Sequence, residues 1–343
     1  IPAWTTSVGP SDAPSMMKIG NIQAESGEKA FGFFKTGETH GRFPVQIPLH
    51  IVEGASDGPT LVVHAGMSGL EIEPALVLPQ VVKEIDPAAL KGTLVVVPLM
   101  NTSGFEFTQI ESAWDGAHLN ALGRGDANGT VNEQMIHQYV EAVLNHADAI
   151  LDVRTGSQWS YHRYAGVFDA GSVDASQALA VALGLPQVVL RQPADTSMAY
   201  EMATDGKTVV TAYIGGGPGL RDYREEDLGR VRRAVLNALK HLGMMDGDLE
   251  YGTDTVAVIE AHTILKPTGE RGFTFMDAEK RGSKIEAGEE IGIVRHPFSG
   301  ETVESITAPR AGVMVHAGAS WPVPLEGSTL AILGDLVEEI SVG

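Results

Sequence analysis

Apolar residues along this chain fall in short dense runs separated by glycine-rich breaks, and the runs alternate in kind. Thr60-Leu61-Val62-Val63-His64-Ala65 reads as a buried strand that breaks at Gly66-Met67-Ser68-Gly69, before a helix from about Glu71 to Ile85. A second apolar run, Gly92 to Leu99, ends at Asn101-Thr102-Ser103-Gly104. After a polar, glycine-rich loop from about Gly104 to Gly129, a helix from about Asn132 to His146 leads into a strand, Ala149 to Val153. Strand, glycine turn and helix in succession is the rhythm of a parallel sheet with crossover helices. The loop is too long for a simple connector, and loops of that length are usually functional or mobile.

The same rhythm continues through a helix at Ala175 to Leu183 and strands at Gln187 to Leu190 and Thr208 to Ile214. Gly215-Gly216-Gly217 closes the last strand, and the run to Gly219 reads as a tight turn, since no G-K-[ST] follows it. From about Glu225 to Leu242, Leu228, Val231, Val235, Leu239 and Leu242 recur at helical spacing. Residues Ile1 to Thr60, with alternating patches such as Phe43 to Leu49, read as antiparallel edge strands leading into the sheet. Beyond Gly247 to Thr253 the text changes to short strands and glycine turns, with no long helix. The expected organisation is therefore an α/β domain over 1–250 and a smaller β-rich domain over 251–343. The expected fold class is α/β, a mainly parallel mixed sheet with helices on both faces. The stretch Thr307 to Leu333 reads as a small hairpin barrel without the lysine that a swinging arm would need.

Charge and composition narrow the partners. A net charge of -20 and a pI near 4.9 argue against nucleic acid or an anionic membrane, which would repel the chain at long range. A small carboxylate-bearing substrate remains compatible, provided that a few arginines make a local positive pocket. With no cysteines, disulfides, Cys-ligated zinc, iron-sulfur clusters and thiol nucleophiles are all excluded. No run approaches the roughly 18 apolar residues of a spanning helix. A cytoplasmic protein is expected, with a leader removed before Ile1 left open, as is a homo-oligomer.

Candidate chemistry collects at the strand ends. The first strand is followed by Gly66-Met67-Ser68-Gly69-Leu70-Glu71, a later one ends Asp152-Val153-Arg154, the long loop contains His118-Leu119-Asn120-Ala121, and a fourth segment reads Thr211-Ala212-Tyr213-Ile214-Gly215-Gly216. In order and spacing these segments resemble the succinylglutamate desuccinylase/aspartoacylase family, which has a zinc carboxypeptidase-like fold, and the resemblance covers most of the chain. It implies G-x-H-G-x-E, where the His and Glu bind zinc, then D-L-N-R for the substrate carboxylate, D-x-H for the third zinc ligand, and T-x-E-x-G-G for the general base. Here Glu71 and Asn120 are kept. Ser68, Arg154 and Tyr213 stand where the family has His, His and Glu, and Ala121 stands where it has Arg.

An arginine carries no lone pair for a metal. The resemblance therefore implies a family with zinc as cofactor, while these residues predict no bound metal and no other cofactor. Glu71, Tyr213 and Arg154 are the expected catalytic residues, with Tyr213 as proton donor or acceptor, Glu71 as its acid/base partner and Arg154 on a substrate carboxylate. Alternatively, Arg154 pairs with Glu71 in a purely structural bridge. Ser68, Asn101, His118, Asn120, His162 and Arg191 are the expected substrate contacts. Arg191 is equally readable as a surface ion pair, and Ser160 to Tyr164 as an aromatic cover. Should a metal bind, the shifted set would be Glu71, His118 and His162, whereas His64 reads as a core histidine. The functional expectation is an enzyme acting on a small N-acyl amino acid or related carboxylate through a rebuilt, metal-independent site, as a hydrolase or lyase. The alternative is a noncatalytic family member that binds a metabolite or partner protein.

Overall fold

A computed structural model describes residues 16–156, 160–192, 196–217, 224–266, 272–318 and 329–342. Four strands, β1 (Met16–Ile19), β2 (Ile22–Glu25), β3 (Glu28–Glu38) and β4 (Pro44–Glu53), precede β5 (Ser56–Ala65), α1 (Ile72–Glu84) and β6 (Lys91–Val97). The long polar stretch is partly built: α2 (Thr102–Phe107) opens it, and a 3-10 turn at Leu119–Ala121 interrupts it. Next come α3 (Val131–Ala142), β7 (Ala149–Arg154), β8 (Tyr161–Phe168), α4 (Val173–Ala182), β9 (Gln187–Gln192), α5 (Met198–Thr204), β10 (Thr208–Gly216) and α6 (Glu225–His241). The β-rich tail contains β11 (Thr255–Leu265), β12 (Phe273–Met276), β13 (Lys284–Ile285), β14 (Glu290–Arg295), β15 (Thr302–Thr307), β16 (Gly312–Ala317) and β17 (Ala331–Ser341). Pro218 and Gly219 of the glycine turn lie outside the described residues, as do residues 319–328 of the anticipated hairpin barrel.

One 12-stranded sheet, in the order β13-β16-β17-β11-β9-β8-β10-β7-β5-β6-β4-β3, organises the molecule. Its centre, β6-β5-β7-β10, is parallel, and β8 enters antiparallel to β10. The mixed α/β sheet and the β-rich tail agree with the pattern of the sequence. The tail strands β11, β17, β16 and β13 continue this sheet, because β11 pairs in parallel with β9. β12, β14 and β15 form a separate three-stranded sheet.

Helices cover both faces. On one face α1, α4 and α6 bury Leu78, Leu179, Val231, Val235 and Leu239. On the other, α3 packs against β3 and α5 against β10, and they bury Met135, Tyr139, Met198 and Met202. The α6 stripe is the predicted one, with Leu228 and Leu242 partly buried at its ends. Each fully buried valine or leucine on it is worth roughly 1.5–3 kcal/mol. At α3, Thr130 and Glu133 form a capping box, which accounts for a sharp start. No helix among the described residues is long and apolar enough to cross a membrane.

Alternation along the central strands sorts their polar residues. In β7, Ala149, Leu151 and Val153 pack with α1, α4 and α6, so Asp152 and Arg154 face the other layer. In β10, Val210, Ala212 and Ile214 do the same, which turns Thr211 and Tyr213 to the side of Arg154. Tyr213 is the register partner of Arg154. Parallel strands thus set the two side chains next to each other at the end of the sheet.

Candidate functional site

The turn after β5 is shaped by close backbone approach. Met100 N bonds to Ala65 O at 2.9 Å and Asn101 N to Gly66 O at 2.8 Å. A Cβ on Gly69 would lie 2.1 Å from the Gly104 carbonyl carbon, so only glycine fits where the turn touches α2. Within the turn, Ser68 Oγ accepts from Leu70 N at 3.2 Å, and Ser68 N donates to Glu71 Oε2 at 3.1 Å. Ser68 is thereby a turn-forming residue, with its hydroxyl on the backbone.

Glu71 and Arg154 meet across the ends of β5 and β7. Arg154 Nε donates to Glu71 Oε1 at 3.0 Å, and Thr155 N reaches the same oxygen at 3.3 Å. Arg154 Nη1 donates to Asn120 Oδ1 at 2.6 Å and lies 3.6 Å from Asp152 Oδ2. Glu71, Asp152 and Arg154 are all buried. Burial by itself would discourage the arginine's charge, but Glu71 and then Asp152 outweigh it and hold the guanidinium more firmly protonated than usual. Burial would likewise raise Asp152; Arg154 and His64 reverse that and hold it below the usual carboxylate range. His64 is a core histidine, bonded through Nδ1 to Tyr139 Oη at 3.1 Å, with Nε2 lying 3.3 Å from Asp152 Oδ1. The expected alternatives for Arg154 are thus resolved in part: it does pair with Glu71, and it also reaches Asn120.

An aromatic wall adjoins this network. Tyr213 stacks on Tyr164 with ring centroids 4.8 Å apart, and His162 lies 5.5 Å from Tyr213. His162 also stacks on His316 of β16 at 4.6 Å and bonds through Nε2 to Ser160 Oγ at 2.7 Å. Burial first, then His316 and Arg281, push His162 well below the ordinary imidazole range.

Other expected contacts stand apart. Asn101 caps α2: its Oδ1 accepts from Gly104 N at 2.8 Å, and its Nδ2 donates to Ile110 O at 3.0 Å. Both ends of the amide are spent on backbone, which makes it a capping residue. Arg191 is 61% exposed and pairs with Glu260 at 3.1 Å, which selects its surface ion-pair reading. His118 is exposed at the head of the 3-10 turn that carries Asn120.

The shifted metal set of Glu71, His118 and His162 does not assemble. Among the described residues no three His, Asp or Glu side chains come together to hold a metal. The physical reason is competition: Glu71 is spent on Arg154 and backbone amides, and His162 is stacked and bonded to Ser160. Asp152, Thr155 and His316 were not singled out from sequence as site residues. Asp152 was findable, since it lies two positions before Arg154 on a strand and so shares its face. His316 carries no such signal, because β16 is distant along the chain.

A mixed sheet with turns and side chains converging at the C-terminal ends of its parallel strands is the site arrangement of α/β ligand-binding proteins. The model of the succinylglutamate desuccinylase/aspartoacylase catalytic domain matches residues 57–242, more than half of the chain, and the chain belongs to this family. The N-alpha-acetyl-L-2,4-diaminobutyric acid deacetylase of Halomonas elongata is 24% identical over 309 residues, covering 86% of this chain and 87% of that protein. Two solved structures share the fold. A succinylglutamate desuccinylase/aspartoacylase from Rhodobacter sphaeroides superposes with a TM-score of 0.79 at 18% identity, covering 90% of this chain and 96% of that one. The product-bound ectoine utilization protein EutE (DoeB) from Ruegeria pomeroyi gives 0.77 at 20%, covering 96% and 97%.

The family is generally zinc-dependent. Zinc needs about three lone-pair donors and one open position. Here the Arg154 guanidinium lies on the Glu71 carboxylate, and the Ser68 hydroxyl is bonded to its own turn. These residues do not fit the family's metal.

Proposed function

We propose that the protein acts on a small N-acyl amino acid or related carboxylate at the strand-end cluster of Ser68, Glu71, Asn120, Arg154 and Tyr213, by a hydrolytic or eliminating step that runs without zinc. The observation that carries this reading is the buried Arg154 cation, fixed by Glu71 and Asn120 at the end of β7. A fixed cation in a desolvated site stabilises charge that develops on a substrate oxygen. Glu71 positions the guanidinium, Asn120 keeps its amide nitrogen for the substrate, and the Tyr213 phenol moves the proton. The deacetylase activity of the Halomonas relative supports an acylated amino acid as the substrate class.

A second reading, binding without turnover, draws on one observation. Both oxygens of Glu71 already accept hydrogen bonds, so the kept carboxylate is tied up as a base. The deciding experiment incubates the protein with N-acetyl and N-succinyl amino acids in the presence of a chelator, and follows products by mass spectrometry and binding by calorimetry. Turnover that survives chelation supports the proposal; binding without product supports the second reading; turnover that appears only with added zinc overturns both.

A further inference from the structure

Across the sheet from Arg154, cations gather in a chain that is otherwise strongly acidic. Tyr161 and Arg163 alternate with His162 and Tyr164 along β8, so they face the layer of α1 and α6. The Tyr161 hydroxyl confirms that direction by donating to Asp227 of α6 at 2.9 Å. Around the ring of Tyr161 stand three guanidiniums: Arg224 at 4.5 Å from the centroid, Arg281 at 5.3 Å and Arg163 at 5.6 Å. They come from three separate segments, the approach to α6, the β-rich tail and β8.

Their neutralisation is incomplete. Asp227 serves Arg230 at 2.5 Å and Arg224 at 3.6 Å, and Glu226 is engaged by Arg230. Glu73 lies beneath and accepts from Gly216 N at 3.0 Å. Arg163 and Arg281 have no carboxylate at ion-pair distance among the described residues. Arg281 spends Nη1 on Tyr161 O at 2.7 Å and Nε on Ala278 O at 2.9 Å, which aims its remaining nitrogen without supplying a counter-charge. Burial, and then Arg163, hold Arg281 below the usual guanidinium range. Cation-π contact with one shared ring is a small return against the mutual repulsion of three guanidiniums.

We propose that Arg163, Arg224 and Arg281, arranged on Tyr161, form a second binding site for a small dianionic oxyanion, a phosphate or a dicarboxylate, on the sheet face opposite Arg154. Planar guanidinium forks match both anions. Arg163 and Arg224 are exposed and Arg281 half-buried, so the ligand reaches the site from solvent.

The test titrates the full chain calorimetrically with inorganic phosphate, and separately with malonate, at constant ionic strength. Saturable binding of one anion per chain is expected, weakened about tenfold in R163Q, an exposed position where folding is not at stake, and further in R163Q/R281Q. Binding of phosphate alone or malonate alone assigns the ligand chemistry within the proposal. Absence of saturable binding by either anion, or binding undiminished in R163Q and in R224Q, overturns it. An N120A variant, altered beside Arg154, should bind the anion as the parent does, which keeps failure of this site distinct from failure of the proposed function.

Discussion

The guanidinium of Arg154 is held 3.0 Å from the carboxylate of Glu71, tying the turn after β5 to the end of β7 inside the protein. Replacing Arg154 by Met leaves Glu71 and Asp152 buried without their cation. Breaking a buried pair in this way costs about 3–5 kcal/mol. Urea denaturation of R154M checks this, and R154M/E71M should recover part of the loss. A loss below about 1 kcal/mol, the range of an exposed pair, would contradict the burial argument.

Tyr213→Phe removes the hydroxyl and keeps the ring that stacks on Tyr164. The expected result is a fall in turnover of about a hundredfold or more with substrate binding nearly unchanged, the signature of a lost proton-transfer group. Parallel losses in binding and turnover would assign Tyr213 to recognition alone.

Elemental mass spectrometry on untagged protein, dialysed against zinc and then against zinc-free buffer, should find well under one zinc per chain. A stoichiometric zinc would mean that Arg154 and Glu71 separate on binding.

His316 is buried and, chiefly for that reason, its imidazole is pushed down to about 4. An unfolded histidine titrates near 6.5. Below that value the unfolded chain takes up a proton that the folded chain refuses. The contribution to stability is therefore complete above pH 6.5 and is lost as the pH falls toward about 4. His162, shifted in the same direction, steepens the loss. Denaturation midpoints measured between pH 7 and 5 should fall in the parent and fall less in H316N.

Gly69→Ala should destabilise by about 2–3 kcal/mol, because its Cβ meets the Gly104 carbonyl, which is backbone and cannot rotate away. The loss should extend to substrate binding, since Ser68 and Glu71 flank that position.

The central strands and helices were legible because their apolar runs are long and their breaks are glycines. β8 was not recognised as a strand, since Tyr161-His162-Arg163 places polar groups on both faces and only its second half is buried. α5 has seven residues, too few for helical periodicity to show, although Ser197 caps it. At the site, Glu71, Asn120 and Arg154 were placed together by motif order. Asn101 and Arg191, expected as substrate contacts, stand apart from that group in the structure, because the end of an apolar run does not reveal whether its polar residue caps a helix or pairs on the surface. His316 reached the site through pairing that local pattern cannot carry.

The parallel seam between β9 and β11 has a consequence for the chain's integrity. Without the residues that follow α6, β9 would present a row of unsatisfied amides and carbonyls to solvent, a template for another chain. The tail thus covers that edge, and a chain truncated near Gly247 should aggregate more readily than the full chain.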